Sequence, residues 1–134
     1  MNRFKRMIGR VLYSLESIMP QSDGRFTIWK KYRVFCGRLI LNVHGINFNI
    51  EKGARFASSV QIGDNSSIGK KAILAGKVII GDNVMMAPEC MIYTKNHSIE
   101  RTDIPMNLQG ETLEKPVVIG NDVWIGARVI ILQE

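Results

Sequence analysis

His97, one of the two histidines in the chain, stands where a regular sequence pattern stops. The residues before it follow a six-residue repeat, whereas residues 98–118 form a polar insertion. A histidine side chain can take up a proton near neutral pH, which suits it to act as a general base. A lone histidine at the start of a loop is more often an ordinary surface residue. Its position at the break, with the repeat resuming around Trp124, favours the catalytic interpretation.

The two cysteines have a weaker claim to chemistry. They form neither a disulfide framework nor a metal-binding cluster, so we expect a reduced, cytoplasmic setting. Cys36 has no evident basic partner in the sequence and is interpreted as a small packing residue. Cys90 occupies the fifth position of a repeat and is interpreted as part of the scaffold.

The length of 134 residues fits one domain, and its net charge of +6 is unevenly distributed. Residues 1–40 contain nine Lys or Arg against two acidic residues, a surplus of +7. The rest of the chain contains nine basic and ten acidic residues. Because the repeat region is nearly neutral and the basic segment lacks an aromatic platform motif, nucleic acid is a poor partner.

The repeat has a period of six residues. Its first positions are aliphatic or aromatic, its second positions are mostly Gly or Ala, and its fifth positions are mostly small or β-branched. The first positions are Ile50, Phe56, Ile62, Ile68, Leu74, Ile80, Met86 and Ile92. Corners such as Gly63-Asp64-Asn65 and Gly81-Asp82-Asn83 interrupt short strands. This pattern predicts triangular coils that stack and share backbone hydrogen bonds along one axis.

The N-terminal segment, residues 1–42, is predicted to be helical and separate from the repeat region, residues 43–134. Residues 2–19 have an amphipathic pattern, and Pro20 ends the first helix. Its apolar face consists of Phe4, Ile8, Val11, Leu12, Leu15, Ile18 and Met19. Two partners remain open for this face: an anionic membrane surface, or the repeat region or a neighbouring subunit. A second helix is expected over Arg25–Phe35, ending near Gly37, followed by a strand at Leu39–Val43.

Several motifs resemble those of the hexapeptide-repeat acyltransferases. They are the hexads, the loop after His97, and the stretch Pro116-Val-Val-Ile-Gly-Asn-Asp-Val-Trp-Ile-Gly126. The similarity is greatest to O-acetyltransferases of the maltose/galactoside type. Asn96-His97, Asp103-Ile-Pro105 and Leu108-Gln-Gly110 resemble the members that act in capsular and other surface-polysaccharide synthesis. The resemblance covers about residues 43–134.

The resemblance implies an all-β fold: a left-handed parallel β-helix of hexapeptide repeats with a short N-terminal helical segment. It also implies a homotrimer with active sites between subunits, although the later coils that complete the family's coenzyme groove are absent here. The expected co-substrate is acetyl-CoA, used without a metal and without an acyl-enzyme. His97 matches the general base and Trp124 the residue at the pantetheine arm. Gly126 and Ala127 lie where the family stabilises the thioester oxyanion.

The acceptor is expected to be a sugar or polysaccharide hydroxyl, with Asn96 and Tyr93 as candidate substrate-binding residues. Three alternatives stay open. The acceptor could be the amine of an amino sugar. A zinc hydratase of the same repeat class requires three histidines, whereas this chain has only His44 and His97. A non-catalytic structural β-helix is the third. If the basic N-terminal helix binds a membrane, the hypothesis extends to an enzyme that works at the inner membrane surface on lipid-linked acceptors.

Overall fold

The computed structural model describes residues 2–22 and 27–133. Helix α1 covers Arg3–Ser14 and continues into a 3₁₀ turn at Leu15–Ile18, and helix α2 covers Ile28–Ile40. A second 3₁₀ turn lies at Met106–Leu108. The strands are β1 Val43–His44, β2 Asn49–Ile50, β3 Arg55–Phe56, β4 Gln61–Ile62, β5 Ser67–Ile68, β6 Ile73–Ala75, β7 Val78–Ile80, β8 Met85–Met86, β9 Met91–Tyr93, β10 Val117–Ile119, β11 Trp124–Ile125 and β12 Ile130–Leu132.

The strands form a three-sided parallel β-helix of four coils. The first face has the strand order β1-β4-β7-β10 and the third has β3-β6-β9-β12. The second face contains the pairs β2-β5 and β8-β11. Val43 pairs with Gln61 and Gln61 with Ile79, so one coil is 18 residues long, or three hexads. The six-residue period therefore predicted the strands and their stacking correctly.

The first positions of the hexads fill the interior of the prism, as the pattern predicted. Seven of the eight are buried; Phe56 is half-buried and packs edge-on against Tyr13, with ring centroids 5.2 Å apart. The small fifth positions, including Val60, Val84 and Cys90, are buried beside them. Alternating large and small inward side chains allows the narrow interior to pack closely.

Sharp corners join the faces at two kinds of residue. Asn47, Asn65 and Asn83 occupy successive coils with φ of 56°, 55° and 58°, a left-handed conformation that Asn tolerates better than most residues. The sequence identified this column. A second column contains Lys71, with φ of 55°, and Glu89, with φ of 63°, which nothing in their residue types predicted.

The insertion rejoins the scaffold two residues earlier than its polar composition indicated. Val117 pairs with Val78, 39 positions earlier instead of 18, so the fourth coil stacks in register after an excursion of 21 residues. The strand resumes at Val117 rather than at Ile119 because Val117 occupies a buried interior position.

The two helices confirm the predicted N-terminal helical segment, so the all-β description holds only for the repeat region. Helix α2 closes the first coil, and it runs through Gly37 to Ile40 instead of ending there. Gly37 is needed for packing, because a Cβ at this position would lie 2.5 Å from Ile50 Cδ1. The predicted strand at Leu39–Val43 is therefore wrong over most of its length. The helix start expected at Arg25 lies outside the described residues.

Helix α1 packs on α2 and on the first coil through a narrow face. Gly9 allows α2 to approach closely, because a Cβ atom added at position 9 would lie 2.6 Å from Leu39 Cβ. Tyr13 Oη donates to the Ala54 carbonyl at 2.8 Å, and the Glu16 carboxylate accepts from the Gly53 N–H at 3.2 Å. Most of the predicted apolar face is thus left exposed. In the part of the chain that the structure describes, neither helix is long and apolar enough to cross a membrane.

Candidate functional site

His97 lies just beyond the third face, at the base of the insertion. It forms an isolated antiparallel bridge with Glu111. The Thr112 N–H donates to the Asn96 carbonyl at 2.8 Å, and the Ser98 N–H donates to the Gly110 carbonyl at 3.1 Å. The returning arm of the loop therefore pairs with the departing arm. This pairing fixes the backbone of an exposed histidine that the β-helix itself does not hold.

Glu111 is the carboxylate that faces His97 across this bridge. Directly opposed residues on antiparallel segments have Cβ atoms about 4.5–5.5 Å apart and share one face. The Lys95 ammonium forms an ion pair with the same carboxylate. Lys95 lowers the pKa of Glu111 below its usual value through a hydrogen bond and its charge, with a smaller contribution from His97. Glu111 is therefore negatively charged beside the imidazole at neutral pH.

The His97 side chain borders a cavity of about 530 Å³ formed by the two arms of the loop and the end of the chain. Asn96, Glu111, Thr112 and Gln133 also line it. Gln133 Nε2 donates to Thr112 Oγ1, which itself accepts from the Asn96 N–H at 3.0 Å. Most of the lining residues have polar side chains, and Ile99 and Leu113 add apolar surface. This mixture can bind both the hydroxyl groups and the apolar ring face of a sugar.

Tyr93 does not line the His97 cavity. Its side chain borders a separate groove of about 640 Å³ between α1 and the third face, together with Tyr13, Phe56 and Arg10. The Tyr93 carbonyl accepts from the Gln133 N–H at 3.1 Å, so its backbone supports the fourth coil. The two predicted acceptor-binding residues, Asn96 and Tyr93, are therefore in different cavities within one chain.

Trp124 lies on the second face and is 75% exposed. It pairs with Met85 in the coil below, and Met85 is 63% exposed. Together they form an exposed apolar surface across the third and fourth coils. Gly126 and Ala127 follow at the next corner, where the Gly126 carbonyl accepts from the buried Cys90 thiol at 3.0 Å. Among the described residues the Ala127 N–H has no hydrogen-bond acceptor, so it is available to an external oxygen.

The structure thus separates the predicted site into two parts. His97 and Asn96 lie beyond the third face, whereas Trp124, Gly126 and Ala127 belong to the second face and the corner that follows it. Glu111 was missed because it lies in the aperiodic insertion. The sequence did contain a signal that could have found it. When a loop returns to the scaffold, its last residues commonly pair with its first residues, which places 110–112 opposite 96–98.

The other groups with chemical potential are structural. Cys36 and Cys90 are buried, and burial raises the pKa of each thiol, which disfavours the reactive thiolate. His44 lies in the first coil beside Phe48, with ring centroids 5.3 Å apart, two coils below the strand that leads to His97. Residues 2–22 and 27–133 contain no group of three or more His, Cys, Asp or Glu side chains placed to hold a metal ion.

Comparison with known proteins identifies the repeat. The family profile described as bacterial transferase hexapeptide (six repeats) matches residues 59–94. A candidate acetyltransferase of Saccharomyces cerevisiae is 42% identical over 79 residues, which are 58% of this chain and 39% of the yeast protein.

Two solved structures extend the likeness to nearly the whole chain. A maltose O-acetyltransferase from Clostridium difficile 630 is 30% identical, with a TM-score of 0.70, and covers 96% of this chain and 66% of that one. A galactoside acetyltransferase in complex with coenzyme A is 24% identical, with a TM-score of 0.70, over 96% of this chain and 62% of its own. The chain therefore spans less than two thirds of the length of these relatives. The parallel coils fit a left-handed β-helix.

Proposed function

We propose that this hexapeptide-repeat chain, whose relatives are acetyltransferases, transfers an acetyl group from acetyl-CoA to a sugar hydroxyl in surface-polysaccharide biosynthesis. Two observations support the acceptor class. The cavity beside His97 is lined mainly by residues with hydrogen-bonding side chains, together with Ile99 and Leu113. The relative with 30% identity over 96% of the chain is a maltose O-acetyltransferase. The observation that carries the proposal is the placement of His97 at the edge of this cavity, opposite the charged Glu111.

In the proposed mechanism, His97 acts as the general base. Acetyl-CoA supplies an acetyl group activated as a thioester. The His97 imidazole accepts the proton of the acceptor hydroxyl while the hydroxyl oxygen forms a bond to the thioester carbonyl carbon. The C–S bond then breaks, and the imidazolium returns the proton to the departing sulfur. Glu111 offsets the positive charge that His97 holds in between. In this mechanism the acetyl group passes directly to the acceptor, and the burial of both cysteines disfavours an acyl-cysteine intermediate.

The groups on the second face would bind and polarise the thioester. The exposed surface of Trp124 and Met85 offers apolar contact to the pantetheine arm. The Ala127 N–H, free among the described residues, would donate to the oxyanion that forms on the carbonyl. Its position at a corner fixed on both sides by strand pairing keeps this donor preorganised.

The proposed active site forms between subunits of a homotrimer. Within one chain the general base and the thioester-binding groups lie on different sides of the prism. A complete site therefore requires His97 from one chain and Trp124 from its neighbour. Three such contacts around a closed ring would produce three equivalent sites.

The experiment is a thiol-release assay with acetyl-CoA and candidate glycans. The full chain is compared with His97→Ala and with His44→Ala, which removes the other histidine. Loss of the general base should lower the rate of acetyl transfer by about 10²- to 10⁴-fold. His44→Ala should leave the rate unchanged. Release that depends on the acceptor but is equal in His97→Ala and the parent chain would contradict the role of His97.

Two further arms distinguish the competing functions. Matched acceptors that offer only hydroxyls or only amines separate O-acetylation from N-acetylation of an amino sugar. A non-catalytic structural protein predicts no acceptor-dependent thiol release with either set. A version of the chain extended by further coils should be tested in parallel, because the relatives are longer than this chain.

A further inference from the structure

We propose that the outer face of helix α1 binds the anionic surface of a lipid membrane. We define the outer face as Phe4, Met7, Val11, Leu15 and Ile18, which are 62%, 56%, 64%, 47% and 82% exposed. These residues recur at intervals of three or four and so form one continuous stripe along the helix and its 3₁₀ extension. The interaction surface is separate from the proposed acetyl-transfer site.

The outer face is exposed because the opposite side of the helix is already occupied. Gly9, Tyr13 and Glu16 recur at intervals of four and three, and they make the contacts with α2 and the first coil. Tyr32 Oη donates to the Leu12 carbonyl at 2.8 Å and ties the same side to α2. The helix therefore cannot rotate to bury its apolar stripe without breaking these contacts.

Basic residues border the outer face, and the acidic residue of the helix is turned inward. Arg3 and Arg10 are four and three positions from Met7, so both border the same edge of the stripe. Glu16 is 8% exposed and accepts from the Gly53 N–H. It is the only acidic residue between positions 2 and 22. Residues 2–22 therefore present apolar and cationic groups and no exposed carboxylate side chain.

Helix α2 adds a second surface of the same character. Ile28 and Phe35 are 62% and 52% exposed, and the exposed Lys31 and Arg38 lie on the same side of the helix. Residues 27–40 contain no acidic residue. Both helices of the N-terminal segment therefore present exposed apolar side chains among positive charges.

This charge distribution favours anionic lipid over a second copy of the chain. Two copies that met through this face would bring two basic segments together. The repeat region, with nine basic and ten acidic residues, offers little attraction to it. An amphipathic helix with basic flanks inserts its apolar stripe between lipid headgroups and places its cations beside phosphate groups. The apolar side chains then contact lipid chains, and the basic side chains contact lipid phosphates.

The test is sedimentation of the full chain with vesicles. One set contains phosphatidylcholine alone, and the other contains equal parts of phosphatidylcholine and phosphatidylglycerol. The chain should partition at least about tenfold more strongly onto the anionic vesicles. Raising the salt concentration should weaken this preference, because exposed charges are screened. Absence of binding to the anionic vesicles at low salt would overturn the proposal.

Paired variants test each half of the surface. Val11→Ser with Ile18→Ser should reduce partitioning by about tenfold or more, because two inserted apolar side chains are lost. Val118→Ser, at an exposed valine on the outer side of β10, is the matched control and should have no effect. Arg3→Gln with Arg10→Gln should reduce partitioning by about 10- to 30-fold. Lys77→Gln, at an exposed lysine of the repeat region, is its control.

The outcomes separate this proposal from the alternatives and from the proposed enzyme activity. If Val11→Ser with Ile18→Ser leaves partitioning unchanged, the stripe does not insert and the proposal fails. If the same variant dissociates an oligomer in sedimentation velocity, and neither form binds vesicles, the face is a subunit contact. Vesicle binding requires no acetyl transfer, so loss of the enzyme hypothesis would leave this result intact. With a soluble acceptor the variant should retain the parent rate of thiol release.

Discussion

Glu111 connects the electrostatics of the insertion to His97. The carboxylate is held by Lys95, which lies two residues before His97 on the same departing arm. Because the pKa of Glu111 is lowered in the folded chain, its ion pair with Lys95 is formed at neutral pH. The stabilisation from this pair is lost as the pH falls through that lowered pKa. Within the neutral range, Glu111 therefore presents a constant negative charge to the imidazole.

Glu111→Gln should lower the rate of acetyl transfer by about 10- to 100-fold, less than His97→Ala, because the base itself remains. Glu111→Asp should recover part of the loss, since it restores the charge. Steady-state thiol release measures both, and the loss should be in kcat more than in KM. Asp103→Asn is the matched control: Asp103 is another carboxylate of the loop, paired with Arg101 and away from the cavity. Equal losses in Glu111→Gln and Asp103→Asn would indicate a general effect on the loop.

At the residue scale, the sequence made His97 a candidate through its position at the long break in the repeat. It did not identify Glu111, because an aperiodic loop gives no register from which a cross-strand pairing can be read. Asn96 lines the same cavity as His97, and its role in acceptor binding stays a prediction. Tyr93 was grouped with them on sequence proximity, yet a strand points alternate side chains to opposite sides, and four residues with a corner between them reach different cavities.

At the scale of the element, the corner sequence Gly-Asp explains how successive coils are held together. Asp64 Oδ1 accepts from the Ile46 N–H at 2.6 Å, and Asp82 Oδ1 accepts from the Asp64 N–H at 2.7 Å. Asn121 continues the column in the fourth coil, accepting from the Asp82 N–H at 2.8 Å. Each carboxylate passes above the glycine of the coil below. The glycine is therefore selected by close approach rather than by backbone conformation.

Gly63→Ala should destabilise the chain by about 1–3 kcal/mol, because its Cβ would lie 2.3 Å from Asp82 Oδ1 and 2.6 Å from the Gly81 carbonyl group. The obstacle includes backbone, which cannot rotate away. Gly120→Ala is the matched control in the same column, where nothing lies within 4 Å of the added Cβ. Denaturant unfolding of both variants measures the difference. A similar loss for Gly120→Ala would show that the crowding argument is wrong.

The strands were predictable as elements because the period of six is imposed by geometry: inward positions, corners and spacing all repeat together. The ends and packing partners of the helices were less predictable from the sequence. Gly37 has a low helix propensity, which predicts that α2 ends near it. Packing of Gly37 against Phe48 and Ile50 outweighs this propensity and the helix continues. The apolar face of α1 was identified correctly, yet amphipathicity cannot decide whether such a face meets the protein or something outside it.

At the scale of the whole molecule, α2 connects the N-terminal segment to the β-helix through a buried cation. Arg33 is 0% exposed; its Nε donates to the Ile50 carbonyl and its Nη2 to Ser22 Oγ, each at 2.9 Å. These bonds satisfy a carbonyl at the first coil and hold the segment before α2 against it. One end of the prism is therefore closed by polar as well as apolar contacts. Nothing in the sequence pattern distinguished Arg33 from its exposed basic neighbours.

The proposed trimer leads to a prediction that no single-chain site can satisfy. His97→Ala and Trp124→Ala chains are each expected to have low activity. In a mixed trimer, however, the intact His97 of a Trp124→Ala chain can meet the intact Trp124 of a His97→Ala neighbour. Random assembly from equal amounts should make about a quarter of the contacts complete, because each contact needs one particular order of the two chains.

Co-expression of the two variants, followed by thiol-release assays, measures this recovery. The mixture should reach about a quarter of the parent rate, well above the mean of the two variants alone. Simple mixing of the separately purified proteins, without exchange of subunits, is the control and should show no recovery. If co-expression also gives only the mean of the two variants, His97 and Trp124 do not act together across a subunit contact. The separation of these residues on different sides of one prism would then require a site built within each chain from other groups.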